Sequence, residues 1–176
     1  MKRILAQLLI LIPAVSTAYP APCDHPRLLL KGGEEARILH AIQTYPVMAE
    51  ADSAVVAFCE QTISEAPLQR KMAGFRIERM QLPLQRIFYL SYAYRVHQER
   101  RYADRAVEEM LAVAQYQDWN PGHFLDVAEL TMGMAIGYDW LYDILTPAQR
   151  DKIASAISRN AFEASKNDDQ AWFYTA

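Results

Sequence analysis

The chain has 176 residues, of which 52% are hydrophobic and 22% charged, and its formal net charge is −3. This balance is typical of a globular protein with a sizeable core and excludes an intrinsically disordered chain. The small negative charge also argues against non-specific nucleic-acid binding, which needs a basic surface.

The first residues have the three parts of a secretory signal peptide. Lys2 and Arg3 form a basic start, and residues 5–13 are mostly apolar but too short to cross a bilayer. Ser16 and Ala18 are small residues suited to cleavage after Ala18. The alternative is a buried N-terminal helix. The pattern predicts a signal peptide over residues 1–18, a periplasmic or secreted location and no membrane-spanning helix later in the chain.

Two cysteines and four histidines are scattered along the sequence. Cys23 and Cys59 can pair in an exported protein, and a buried free thiol at Cys59 is an equal alternative. None of these residues has the spacing of zinc ligands, and there is no Gly-rich phosphate loop or nucleophile elbow. The sequence therefore predicts neither a metal nor a cofactor.

An irregular, Pro-rich lead-in over residues 19–33 precedes a series of predicted helices. Apolar periodicity and turn residues place the helices at 34–44, 46–65, 82–98, 102–117, 123–144 and 147–165, with a loop over 67–80 and no strand. At the last helix, Thr146 is a good N-cap, Pro147 fits the first helical position and Gln149 completes a capping box.

The predicted helices alternate in character. Those at 82–98 and 123–144 are apolar nearly all round, which is typical of buried helices, whereas those at 102–117 and 147–165 carry one apolar stripe, which is typical of outer helices. Ala93-Tyr94 recurs as Gly137-Tyr138 roughly 44 residues later, a spacing typical of stacked helical hairpins, although coincidence between two buried helices is the alternative. We predict an all-α fold of hairpins, as an open solenoid or a closing toroid, with residues 124–144 as its most buried helix.

The densest group of polar residues is the Asp118–Gly122 turn and the start of the helix after it. His123, Asp126 and Glu129 are spaced three residues apart and so lie near one helix face. A carboxylate in an apolar run, such as Glu129, must be paired or face a polar cavity. The predicted ligand-contacting residues are Trp119, Asn120, His123, Asp126 and Glu129. The alternatives are a packed plug for Trp119 and stabilisation of the helix dipole for Asp126.

Three other groups of residues have a structural and a functional interpretation. A basic stretch is either a solvated loop or a clamp for a carboxylate- or sulfate-bearing chain, and it comprises Arg70, Lys71, Arg76, Arg79 and Arg86. The aromatic and acidic residues between Tyr138 and Asp143 are predicted to pack between hairpins, with ligand contact as the alternative. His97, at a helix end, is predicted to be a cap or a surface residue.

Two long segments resemble the N-terminal region of heparinase II/III-type polysaccharide lyases. They are "RIFYLSYAYRVHQERRYADRAVEEML" and "DWNPGHFLDVAELTMGMAIGYDWLYDILTPAQRDKIASAI", and the earlier "HPRLLL" also fits, so the resemblance spans roughly residues 25–174 and is most specific over 118–151. It implies an incomplete α/α toroid, here over 34–176, and in full-length members a following β-sandwich domain. It also implies β-elimination at a uronic acid of an acidic polysaccharide such as heparan sulfate or alginate.

In that reaction a base removes the C5 proton, the uronate carboxylate is neutralised and an acid protonates the leaving oxygen. The family places its Asn-rich neutralising motif and its catalytic Tyr and His after a segment like "DDQAWFYTA", so no catalytic residue carries over to this chain. We therefore expect a truncated toroid that is inactive alone, with part of its inner layer exposed at Met132, Met134, Ile136 and Trp140. The alternatives are an α/α-toroid glycoside hydrolase with Asp126 and Glu129 as its carboxyl pair, and a non-catalytic helical-repeat binding module.

Overall fold

A computed structural model describes residues 24–166, and this part of the chain is all-α, as predicted. Its helices are α1 (Glu35–Thr44), α2 (Pro46–Ser64), α3 (Gln81–His97), α4 (Arg100–Ala114), α5 (Phe124–Trp140) and α6 (Pro147–Ile157). A π-helical turn (Ser158–Glu163) and a 3-10 turn (Ala164–Lys166) follow α6. The predicted signal peptide lies outside the described residues. None of the helices within 24–166 combines the length and hydropathy needed to cross a bilayer.

The two largest errors in the predicted helix ends arise because the apolar pattern reports burial as well as helix. The helix predicted to reach residue 144 ends at Trp140, and Leu141 and Leu145 are buried from an irregular turn instead. The last helix leaves α-geometry after Ile157 and continues as the π-helical turn. The predicted start of α6 is confirmed, since the Thr146 side chain and Gln149 form a reciprocal capping box.

The predicted loop over 67–80 contains a short antiparallel hairpin. Its strands are β1 (Met72–Ala73) and β2 (Arg76–Ile77), joined by a turn in which Gly74 has a φ of 65°. Strands of two residues are too short to produce the alternation that identifies a strand in a sequence, so the prediction of no strand was wrong here.

Helices that are neighbours in the chain contact each other in pairs, α1 with α2, α3 with α4 and α5 with α6, and α3 also contacts α5. Gly137 permits the close approach of α5, because a Cβ atom there would stand 2.5 Å from Ile87 Cγ2 and 2.6 Å from Met110 Sδ. The small residue of the Gly137-Tyr138 pair is therefore a packing requirement. The pairs form a stack of helical hairpins around a single main core.

The prediction that α5 is the most buried helix is wrong. α4 buries nine of its fifteen residues, whereas α5 buries nine of its seventeen. The apolar stripe of α4 is narrower than its buried face, because that face also includes the charged residues Arg105 and Glu109. Both are buried, in an ion cluster with Arg86 of α3.

The predicted exposure of α5 is also largely wrong. Met132 is 52% exposed as expected, but Met134, Ile136 and Trp140 are buried. Ile136 and Trp140 pack with Leu30 of the lead-in, and the Trp140 indole N–H donates to the carbonyl of Leu28 at 2.8 Å. The "HPRLLL" segment therefore covers the surface that the helix pattern alone left open.

Cys59 of α2 is fully buried, and its burial raises the pKa of the thiol to about 12. Such a thiol is chemically inert under ordinary conditions. The proposed pairing with Cys23 stays a prediction, because Cys23 lies outside the described residues.

Candidate functional site

Asp126, in the first turn of α5, is the centre of the polar group at the helix start. Its side chain is 0% exposed. Oδ2 accepts hydrogen bonds from the main-chain N–H of Ile77 and from the Asn120 amide, both at 2.8 Å, and Oδ1 lies 3.0 Å from His123 Nδ1. The carboxylate thus connects the hairpin, the Asp118–Gly122 turn and α5.

Asn120 holds the same three parts together from the other side. Its backbone is left-handed, with φ of 58°, a conformation that Asn tolerates better than most residues. This turns the side-chain amide towards the hairpin, where it donates to the carbonyl of Phe75 at 2.8 Å as well as to Asp126. The geometry gives Asn120 a positioning role at this site.

The environment of Asp126 keeps it ionised. Burial raises the pKa of this carboxyl, but the hydrogen bonds from Asn120, Ile77 and His123 outweigh burial and hold the pKa below its ordinary value. A carboxylate with both oxygens engaged and a lowered pKa is a structural anion. It cannot readily donate a proton to a leaving group.

The accessible part of this region consists of the exposed Phe75 and Arg76 and the half-buried His123 and Glu129, which we call the rim site. Phe75, at the hairpin tip, is 72% exposed, and its ring centroid lies 5.2 Å from that of His123 in an edge-to-face arrangement. Arg76 is 44% exposed; its guanidinium nitrogens stand 3.6 Å from Asp126 Oδ1 and 3.8 Å from Glu129 Oε1. The exposed ring of Phe75 therefore lies beside the Arg76 guanidinium, whose distances to its two carboxylate partners are long.

Glu129 is the predicted site residue with unused hydrogen-bonding capacity. Its side chain is 33% exposed and faces Arg76, as expected for a charge within an apolar run. Its Oε2 atom is buried and accepts no hydrogen bond from any described residue. A buried acceptor without a donor is costly, so this oxygen favours the arrival of a donor from a ligand or water.

Trp119 does not offer a stacking surface. It is 1% exposed, and its indole N–H donates to the carbonyl of Val113 at 3.3 Å. Of the two interpretations of this residue, the structure supports the plug that closes the end of α4. The exposed ring near this turn is that of Phe75, in a loop where only the neighbouring Gly74 indicates a turn.

Most of the predicted basic clamp is engaged in ion pairs. Arg70 donates to Asp118 at 2.6 Å, and Arg86 is buried against Glu65 and Glu109. Arg76 belongs to the rim site. The two remaining members, Lys71 and Arg79, are exposed. The clamp as predicted is not assembled, because Arg70 and Arg86 are already paired with carboxylates of the same fold.

The aromatic and acidic residues at the end of α5 pack the lead-in segment. Asp139 is buried and accepts hydrogen bonds from the main-chain N–H groups of Arg27 and Leu28, at 2.7 and 2.8 Å, and His25 Nδ1 lies 2.6 Å away. The His25 ring stacks on Tyr142 with centroids 3.9 Å apart. These contacts support the packing interpretation, with the lead-in segment as the partner in place of another hairpin.

His97 makes a specific contact at the end of α3. Its Nε2 atom lies 3.0 Å from Oδ1 of Asp52 on α2, and the hydroxyl of Tyr92 donates to the same oxygen at 3.1 Å. The histidine therefore connects two helices through a nearly buried carboxylate. Within residues 24–166, no group of three His, Cys, Asp or Glu side chains is arranged to hold a metal ion.

A larger cavity, of about 630 Å3, lies away from the rim site, between residues 66–70 and the end of α4. Large pockets are the usual first choice for a ligand site. We favour the rim site because the charged member of this cavity, Arg70, is already paired with Asp118 and none of its lining residues has an unpaired buried polar atom among those described.

No model of a known protein family matches this chain, and no curated protein matches it either.

Proposed function

We propose that these residues form the N-terminal helical part of an exported polysaccharide lyase, and that the rim site contacts its uronic-acid-containing glycan. The observation that carries the proposal is the exposed Phe75 ring beside the loosely paired Arg76 guanidinium. Both belong to a hairpin fixed by Asp126 to residues 118–129, which lie where the resemblance to heparinase II/III-type lyases is most specific.

The chemistry of the rim site suits an acidic sugar chain. An exposed aromatic ring provides a flat apolar surface for the C–H face of a pyranose, and an arginine fork binds a carboxylate or sulfate with two hydrogen bonds. Charge-assisted hydrogen bonds normally measure about 2.7–2.9 Å. The contacts of Arg76 with Asp126 and Glu129 are longer, at 3.6 and 3.8 Å, so the guanidinium can exchange them for a better anion.

In this proposal the rim site binds and orients substrate, and no residue of this chain is assigned to proton transfer. The resemblance implies β-elimination at a uronate, with the neutralising group, base and acid in a part of the family fold outside residues 118–129. The stack of helical hairpins is the kind of unit from which an α/α toroid is built. The closure of these hairpins into a toroid is part of the proposal.

The hydrolase alternative is weakened by the state of Asp126. Glycoside hydrolysis needs two carboxyl groups facing across the scissile bond, one of them an acid with a raised pKa. Asp126 is buried beneath the hairpin, both of its oxygens accept hydrogen bonds, and its pKa is lowered. Glu129 would have no partner carboxyl for the reaction.

Calorimetric titration with polyuronate, heparan sulfate and a neutral glucan tests the proposal. We expect the acidic chains to bind and the neutral glucan to bind much more weakly. Phe75→Ala and Arg76→Gln should each reduce the affinity about tenfold, the loss expected for one ring contact or one charge-assisted pair. Arg37→Gln, an exposed arginine of α1, is the matched control. Equal binding of neutral and acidic glycans, or no effect of either rim variant, would contradict the proposal.

A further inference from the structure

A second cavity borders the Asp118–Gly122 turn and shares no residue with the rim site. It has a volume of about 340 Å3 and lies between Asp118–Pro121 and the π-helical turn after α6. Ligand pockets in proteins measure roughly 300–1,000 Å3, so one sugar unit is a reasonable occupant by size. Isolated π-turns within helices recur at functional sites, because the extra residue redirects a side chain.

The π-helical turn places Asn160 in the cavity wall with half of its amide unused. Asn160 is 4% exposed, and its Oδ1 accepts a hydrogen bond from Nε of Arg159 at 3.2 Å. Its Nδ2 atom is buried and donates to no described residue. Buried amide groups are nearly always hydrogen-bonded, so this donor calls for an acceptor that the described residues do not supply.

The remaining walls contain one cation, Arg159, and two carboxylates that are already paired, Asp118 and Glu163. Arg159 is exposed, and its hydrogen-bond partners within residues 24–166 are Asn160 and, at a long 3.5 Å, the carbonyl of Ala114. Across the cavity, Asp118 Oδ1 accepts from Arg70 at 2.6 Å and from the main-chain N–H of Asn120 at 2.7 Å. Glu163, also in the wall, is paired with Lys166 at 2.8 Å.

We propose that this cavity binds one uronate unit of the acidic glycan, as a second subsite next to the rim site. Arg159 and the Asn160 amide donate to the uronate carboxylate, and Asp118 accepts a hydrogen bond from a ring hydroxyl. Donors on one wall and an acceptor on the other suit a unit that carries both a carboxylate and hydroxyl groups, whereas a simple anion could use only the donors. The inference rests on the proposed function, since it takes the glycan as the ligand.

The test is a calorimetric titration of the full chain with a purified alginate tetrasaccharide. Asn160→Leu and Arg159→Gln should each weaken binding about tenfold or more, because each removes a hydrogen bond to a charged group. Lys152→Gln, which removes an exposed cation of α6, should leave the affinity unchanged. The melting temperature of Asn160→Leu should stay close to that of the unaltered chain, because the lost amide N–H has no partner among the described residues and the lost Oδ1 acceptor serves only the exposed Arg159.

The outcomes separate the two proposals. If the unaltered chain binds no acidic glycan, both fail. If it binds, Phe75→Ala weakens the binding and neither cavity variant does, the second subsite is wrong while the rim site stands. A melting temperature several degrees lower for Asn160→Leu would mean that the amide is bonded in the folded chain, which would overturn the premise. Arg159→Gln, at an exposed position, supplies the answer if Asn160→Leu does not fold.

Discussion

Asp126 and Asp139 act in the same way at the two ends of α5. Each buried carboxylate accepts a hydrogen bond from the main chain of a segment that precedes α3, and each has a histidine Nδ1 within 3.0 Å. Asp126 holds the hairpin through Ile77, and Asp139 holds the lead-in through Arg27 and Leu28. α5 is therefore the element to which both irregular segments are fixed.

The first prediction concerns Asp126→Ala. The change leaves the Ile77 N–H and the Asn120 amide with one acceptor fewer in a buried position, so we expect the free energy of unfolding to fall by about 3 kcal/mol. Urea denaturation measures it. Asp143→Ala, an exposed residue of the turn after α5, is the control and should have almost no effect. Equal stability of the two variants would mean that Asp126 does not hold the hairpin.

The second prediction is a loss of stability in acid. Burial raises the pKa values of Asp126 and Asp139, but the hydrogen bonds that each carboxylate accepts lower its pKa by more than burial raises it. The donors to Asp126 are Asn120, Ile77 and His123, and those to Asp139 are Leu28, Arg27 and His25. Both pKa values therefore lie below their ordinary value. The unfolded chain then binds more protons, and stability is lost as pH falls from about 4 towards the folded-state pKa values. Melting temperatures measured between about pH 6 and pH 2 should be flat at first and then fall.

The share of the acid dependence that comes from these two carboxyl groups can be measured separately. Asp126→Asn combined with Asp139→Asn removes both titrations, so the double variant should be less stable near neutral pH but should lose less stability on acidification. An unchanged slope in the double variant would place the acid-sensitive groups elsewhere.

The helices were predictable because their signals are local, whereas the burial of charged residues was not. The pattern of apolar residues and the capping box at Thr146 identify the elements with errors of a few residues at most ends. Arg105 and Glu109 look like surface residues in any sequence, since charges are rarely buried. They are inside because Arg86, in a different helix, completes their pairing. Long-range pairing of this kind leaves no local signature.

The third prediction tests this ion cluster. Glu109 accepts hydrogen bonds from Arg86 at 3.0 Å and from Arg105 at 2.6 Å, and it is 0% exposed. Glu109→Gln leaves two buried guanidinium groups short of a counter-charge, so we expect a loss of about 3–5 kcal/mol in the free energy of unfolding. Glu108→Gln, on the exposed side of α4, should change nothing measurable. A mild effect at Glu109 would mean that Glu65 alone balances the arginines.

The fourth prediction concerns the close approach of α5 to α3 and α4. A methyl group at position 137 would overlap with Ile87 and Met110, so Gly137→Ala should cost about 1–3 kcal/mol despite the better helix propensity of Ala. Gly122→Ala is the matched control, because a Cβ there meets nothing within 4 Å. Thermal denaturation of the two variants gives the comparison. A Gly137→Ala chain as stable as the control would show that Met110 moves aside at little cost.

The candidate site was only partly predictable. Asn120, His123, Asp126 and Glu129 do lie together, because residues three apart share a helix face and the turn folds back on it. Phe75 and Arg76 could not be placed there from the sequence, since the contact depends on a hairpin anchored by Asp126 across the fold. Only the structure identifies Phe75 as the exposed aromatic ring of this region.

The central claim is that the rim site binds an acidic glycan through Phe75 and Arg76. The most direct measurement is the binding of polyuronate to the unaltered chain and to the double variant Phe75→Ala, Arg76→Gln, with circular dichroism to establish that both are folded. We predict binding by the unaltered chain that weakens as salt rises, since part of it is an exposed ion pair. The double variant should keep its helical spectrum and lose most of the affinity. Full affinity in a folded double variant would contradict the account.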